Sequence, residues 1–212
     1  MAVPVARLRA WLARLKNSNA QGEYYLTDII EMAVAEGVEV KPLIAPTVAE
    51  VLGINDKLQL AEVEAEYRRL RTREIMLAGA TVIDPARVDI RGPVSIGRDV
   101  LIEPNVFFGP GVRVADNVKI RANSHIEGAQ IASGCEVGPF ARLRPGTVLE
   151  EKAKIGNFVE TKKAHLGKGA KANHLTYLGD ATIGAGANIG AGTITCNYDG
   201  YFKYQTVIGE GA

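Results

Sequence analysis

The sequence predicts a mainly β fold, a parallel β-helix of stacked hexapeptide repeats. Three observations carry that prediction. Large apolar residues recur at a stride of six: Ile90, Ile96, Ile102, Phe108, Val114, Ile120 and Ile126. After one five-residue step the stride resumes at Ile131, Val137, Leu143, Leu149 and Ile155. A second column runs two residues ahead of each rung: Val88, Val94, Val100, Val106, Val112 and Val118, then the smaller Ala129, Cys135, Ala141, Thr147 and Ala153. Residues i and i−2 of a strand face the same side, so each hexad is a short strand with two inward residues. Corner residues complete the pattern, as in Gly97-Arg98-Asp99, Glu103-Pro104-Asn105 and Gly138-Pro139. A fixed period of this kind is the signature of a solenoid.

Before the ladder the reading changes. Ala6 to Leu15 reads as the end of an amphipathic helix, followed by a polar turn from Lys16 to Glu23. Thr27 or Asp28 can cap a second helix, Ile29 to Ala35, that stops at Gly37. Val38 to Ile44 reads as a strand, confined to a sheet edge by Pro42. This opening is too short for an independent α/β domain and reads as the tail of one. From Asn55 a helical stripe runs through Leu58, Leu60, Val63, Tyr67, Leu70 and Ile75 to Gly79, with charges between. It is expected to link the opening to the β-helix. The expected division is thus 1–45, a linker at 46–78 and the β-helix at 79–212, its first repeat at Ile83-Asp84-Pro85-Ala86.

The ladder continues through Thr161, Leu166, Ala172, Leu178, Ile183, Ile189 and Thr195. It then breaks. Cys196-Asn197-Tyr198-Asp199-Gly200-Tyr201-Phe202-Lys203-Tyr204-Gln205 does not fit hexads, and a rung returns only at Ile208. A polar and aromatic loop interrupting a regular solenoid is where function concentrates.

Composition excludes several classes. Net charge is +1 over 212 residues, with acids and bases interspersed, so no basic block points to nucleic acid or an anionic membrane. No apolar stretch is long enough to span a bilayer, and the N-terminus lacks the apolar core of a signal peptide. The two cysteines, Cys135 and Cys196, lie far apart and read as reduced thiols of a cytoplasmic protein.

With three hexads per triangular coil, rungs Leu143, Thr161, Leu178 and Thr195 stack on one wall. Residues one step off a rung point outward. On this wall they are Arg142 and Arg144, Glu160 and Lys162, Tyr177 and Gly179, Ile194 and Cys196. The corner leading into Leu178 carries His174, and Asn188 points out from the adjacent wall. Each residue has an ordinary reading: solvated cations, an ion pair of Glu160 with Lys162, a surface histidine. Their convergence beside the one break in the ladder favours a site. A metal is disfavoured within one chain. His125 lies about three coils, ~14 Å, from Leu178, and His165 sits on another wall, too far apart for zinc bonds near 2 Å. Cys196 reads as a spectator thiol.

Four segments carry a family resemblance: Phe140 to Gly146, Ile155 to Glu160, His174 to Asp180, and Asn188 to Gly200. They resemble the family of bacterial bifunctional N-acetylglucosamine-1-phosphate uridyltransferase/glucosamine-1-phosphate N-acetyltransferases. Asn19 to Asp28 is similar to the end of that family's uridyltransferase domain. The resemblance implies a left-handed β-helix and a homotrimer with active sites in clefts between prisms. It implies His174 as general base with Glu160 orienting it. Arg144, Lys162, Tyr177 and Asn188 would hold the sugar phosphate. Ala191, Asn197, Tyr198 and Lys203 would lie along acetyl-CoA. Asn19 would be a ligand of the magnesium–nucleotide complex, with Mg2+ and UTP serving the first domain. The products implied are precursors of the cell wall and lipopolysaccharide.

The chemistry suits these residue types. A neutral imidazole can take a proton as an amine attacks a thioester. A phosphate dianion calls for Arg and Lys. Developing charge on the thioester oxygen calls for N–H donors, which the Asn197-Tyr198 turn can supply. The glycine-rich nucleotide loop and the last coils of such an enzyme are not in the sequence. The chain is therefore expected to be an internal piece without uridylyl transfer. Two other readings share the ladder: a serine or sugar O-acetyltransferase, and a non-catalytic or carbonic-anhydrase-like β-helix.

Overall fold

The computed structural model describes residues 1–212, which form two compact units, Met1–Val51 and Leu52–Ala212.

In the first unit, helices α1 (Val5–Leu12) and α2 (Asp28–Ala35) bury Trp11, Ile29 and Ala33, with Leu8, Leu15, Met32 and Val38 packed against them. Trp11 donates its indole N–H to Glu36 at 2.9 Å, and Arg14 pairs with the same carboxylate. Arg14 first, then Trp11, holds the Glu36 carboxyl below its usual range. Two expectations fail here. Thr27 occupies the N-cap position in a helical conformation and makes no capping bond. Val38 to Ile44 forms no strand, and Leu43 and Ile44 are exposed. A strand exists only when a neighbouring backbone pairs with it, and this unit contains no other strand.

The second unit begins with α3 (Lys57–Leu77). Asp56 caps it by accepting from the Gln59 N–H at 2.8 Å, and Gln59 returns a bond to the Asn55 N–H at 2.7 Å. Ile75, near its end, joins the β-helix core.

The β-helix has three walls of parallel, in-register strands. The first wall stacks Val88–Ile90, Val106–Phe108, His125–Ile126, Arg142–Leu143 and the later halves of Lys154–Lys162 and Lys171–Gly179. The second runs from Val94–Ile96 to Thr206–Ile208. The third runs from Thr81–Val82 to Asn188–Ile189. Every rung from Ile102 to Ile126, and Leu143, Thr161 and Leu178 above them, is buried. The first coil starts earlier than the hexads imply. Val82 pairs with Ile102 and is buried, whereas Ile83 points out.

The five-residue steps have a local cause. Each falls at the corner between the first and second walls, where one left-handed residue turns the chain: Gly128 (φ 50°), Lys163 (φ 46°) and Asp180 (φ 46°). For Lys163 and Asp180 that conformation costs about 1–2 kcal/mol. Both cysteines are free. Cys135 lies inside, and burial pushes its thiol up to about 11.

Candidate active site

Strand register brings most of the expected residues together on the first wall. Arg142, Glu160 and Tyr177 occupy one column in successive coils. Lys162 pairs in register with Gly179. Arg144 lies in the coil before Lys162, its N–H donating to the Thr161 carbonyl at 2.9 Å. Its guanidinium binds Glu160 Oε1, also at 2.9 Å, with both side chains part-exposed.

His174 sits where Lys171–Gly179 bends from the third wall to the first. It stands opposite Asn157 one coil away, and its Nδ1 lies 3.0 Å from Asn157 Oδ1. A carbonyl oxygen only accepts, so Nδ1 is the donor, and in the neutral imidazole Nε2 keeps the lone pair. Within the chain, the group that holds His174 is therefore Asn157, and Glu160 is engaged by Arg144. Asn157 lies within the Ile155 to Glu160 segment, and the resemblance implies no role for it. The signal for it is positional, since its corner lies one coil before His174.

Tyr177 is half-buried, with its ring against the backbone of Gly179. A Cβ added at Gly179 would lie 2.4 Å from the phenol oxygen. Glycine at this step thus makes room for the ring. Lys162 stands among cations. Lys203 above all, then partial desolvation and Arg144, lower its pKa, while Asp180 opposes them.

The loop that interrupts the ladder is an ordered turn. Tyr198 and Lys203 form an antiparallel bridge, and the Tyr204 N–H donates to the Asn197 carbonyl at 2.9 Å. The Asp199 carboxylate accepts from the N–H groups of Phe202 and Tyr201, which hold its pKa down. Asn197 is buried, and its amide donates to Asp180 at 2.5 Å, tying the loop to a left-handed corner. Tyr198 donates to the Gly200 carbonyl, and Tyr198, Tyr201, Phe202 and Tyr204 are exposed.

Three expected residues lie apart. Asn188 is on the third wall, opposite Lys171. Ala191 follows it by three residues, as His174 follows Lys171, and so occupies the corner one coil beyond His174. Asn19 belongs to the first unit, where its oxygen accepts from the N–H groups of Gln21 and Glu23 and its amide donates to the Glu23 carbonyl. The histidines do not converge: His125 stacks on Phe107 at 4.2 Å and His165 bonds Glu150 at 2.8 Å. No group of three or more His, Cys, Asp or Glu residues is placed to hold a metal ion. No helix is long and apolar enough to cross a membrane.

A hexad ladder of this kind is the architecture of the hexapeptide-repeat transferases. The family model of the bacterial transferase hexapeptide (six repeats) matches residues 93–128. Over its whole length the chain is 62% identical to the bifunctional protein GlmU of Sphingopyxis alaskensis, covering 47% of that protein. It is 56% identical to GlmU of Pseudomonas entomophila over 99% of the chain and 50% of the relative. It is 50% identical to GlmU of Marinobacter nauticus over 100% and 50%. These relatives are bifunctional GlmU proteins, and the chain spans about half the length of the curated relatives it matches.

Proposed function

We propose that the first wall of the β-helix is an N-acetyltransferase site that moves the acetyl group of acetyl-CoA onto the amine of glucosamine 1-phosphate. The observation that carries this is His174, held through Nδ1 by Asn157 with Nε2 free, at the corner of the wall that carries Arg144 and Lys162, with Lys203 close to Lys162. Arg144 and Lys162 bind the phosphate, and Tyr177 and Asn188 position the sugar. The amine attacks the thioester carbon. A C–N bond forms, the C–S bond breaks, and the CoA thiolate leaves. His174 Nε2 takes the amine proton as the new bond forms. Ala191, Asn197, Tyr198 and Lys203 lie along acetyl-CoA, and N–H groups of the turn meet the developing oxyanion. Cys196 takes no part, because the amine attacks directly. Glu160 reaches His174 only through rearrangement of its bond to Arg144 or across a neighbouring prism.

Outward-facing sites of this kind suit completion by a second prism, and we assign the working form as a homotrimer in the cytoplasm. The relatives are named bifunctional. Uridylyl transfer from UTP, giving UDP-N-acetylglucosamine for cell-wall and lipopolysaccharide precursors, is the second activity we infer for the whole enzyme. The family resemblance implies Asn19 as a ligand of the magnesium used there. One amide oxygen already bonded to two N–H groups does not fit a hard cation that takes six or more oxygens, so no step is drawn through the metal.

Release of CoA thiol with glucosamine 1-phosphate, compared with serine and simple sugars as acceptors, tests the reading. Turnover restricted to the amino-sugar phosphate is expected. Equal or faster turnover with hydroxyl acceptors would replace it with O-acetyl transfer.

A further inference from the structure

Apart from Ser124, the inward columns of the β-helix are apolar until they reach the coils that carry the site. There, buried hydroxyls replace aliphatic groups at Thr147, Thr161, Thr176 and Thr195. Each is tied to the backbone of a residue on the outer face, or to another hydroxyl that is. Thr147 Oγ1 donates to the Arg144 carbonyl at 2.7 Å, and Thr161 Oγ1 stands 2.9 Å behind it. Because Thr147 spends its proton on Arg144, Thr161 donates to Thr147. Thr176 Oγ1 donates to the His174 carbonyl at 2.7 Å. Thr195 Oγ1 accepts from the Gly179 N–H at 2.7 Å, beneath the ring of Tyr177.

Packing gives no reason for this pattern. Valine has threonine's shape, and Val88, Val100, Val106, Val112 and Val118 occupy in earlier coils the inward column of Thr147 and Thr176, while Thr161 and Thr195 take rung positions filled earlier by Ile90, Phe108, Ile126 and Leu143. A buried hydroxyl costs free energy that only its hydrogen bonds offset. A hydroxyl alone is not the signal either. Ser124 is also buried in the prism, and its oxygen has no partner.

We propose that the inward threonines are positioning residues, fixing from inside the prism the backbone from which Arg144, His174 and Tyr177 project. Thr176 is the sharpest case. It clamps the peptide of His174, so that the imidazole meets Asn157 Oδ1 and presents Nε2 outward in one orientation. The inference rests on the acetyltransferase reading for its functional consequence and on geometry alone for its structural one.

The test uses the full chain labelled with 15N-histidine, in wild-type, Thr176→Val and Thr176→Ser forms, with His174→Gln to assign the signals. The wild-type imidazole is expected to show one tautomer protonated at Nδ1. Thr176→Val is expected to average the two tautomers and Thr176→Ser to restore the wild-type pattern. A Thr176→Val spectrum identical to wild type would overturn the inference. In turnover assays, Thr176→Val should lower kcat about tenfold while KM for glucosamine 1-phosphate stays within about twofold and the melting temperature holds or rises. A kcat loss that merely tracks a fall in melting temperature would also overturn it. A wild-type chain with no acetyl transfer to any acceptor would remove the acetyltransferase reading and leave the imidazole spectra to decide the positioning role. Thr147→Val provides a second variant, with the loss expected in KM for the sugar phosphate through Arg144.

Discussion

Asn157 and His174 face each other from neighbouring coils, amide oxygen to Nδ1, at 3.0 Å. The amide dictates which imidazole nitrogen is basic. Replacing Asn157 with Leu should lower kcat about tenfold or more by freeing the tautomer, while His174→Ala should cost about 10²–10⁴. Both side chains lie on the outer surface, so thermal melts should move little. Unchanged rates in His174→Ala would remove the base from the mechanism.

The cation cluster works against the empty protein. Lys203 is the largest influence lowering the pKa of Lys162, ahead of desolvation and Arg144. Lys203→Gln should relieve this repulsion and raise the melting temperature at low ionic strength. The gain should fade as salt screens the pair. The same substitution should raise KM for the phosphorylated acceptor or for acetyl-CoA. A variant that melts lower at low salt would contradict the proposed repulsion.

On the third wall, Arg121 bridges Glu103 and Glu136, with bonds of 2.7 Å to each carboxylate. Both carboxyls are held below their usual range, chiefly by that guanidinium. A depressed carboxyl contributes stability above the unfolded pKa of about 4.3 and loses it as pH falls through the folded value. Melting temperature should therefore drop below about pH 4.5. Arg121→Leu should flatten that part of the profile, as read by circular dichroism between neutral pH and pH 3.

Leu178 is fully buried beneath the site, between Thr161 and the coil above. Leu178→Ala should cost about 2–5 kcal/mol in denaturant titration. The site's columns depend on that rung, so activity should fall even where the variant remains folded.

Phe158 adopts φ 57° at an exposed corner, stacked on Phe140 at 5.3 Å. Phe158→Gly should relieve the left-handed strain and forfeit the stacking, two effects of about 1 kcal/mol each. A melting temperature within about 5 °C of wild type is expected. A large loss would show that the aromatic corner column contributes more than strain relief returns.

The prism was legible because burial repeats with the chain's own count: Ile102, Ile120 and Val137 fall inside for the same reason, and the count fixes their wall. Outward columns followed by stepping one residue to either side of a rung, which placed Arg144, Glu160, Lys162 and Tyr177 on one wall. Val38 to Ile44 was misread because strand character depends on a partner that local sequence does not specify. Asn157 received no role because its bond crosses a coil boundary, joining residues 17 positions apart. The threonines were counted only as rungs or column members, since a residue two places from a rung is assigned a side by period and not a partner.

Each coil of the prism is hydrogen-bonded only to the coils directly before and after it. Damage should consequently stay local. A lesion at Leu178 would loosen amides around His174 and Tyr177 while those near Ile102 exchange as slowly as before. Hydrogen exchange would then read as a profile along the stack, not as a single opening event. The ladder that gives the site its rigidity thereby also quarantines its failures.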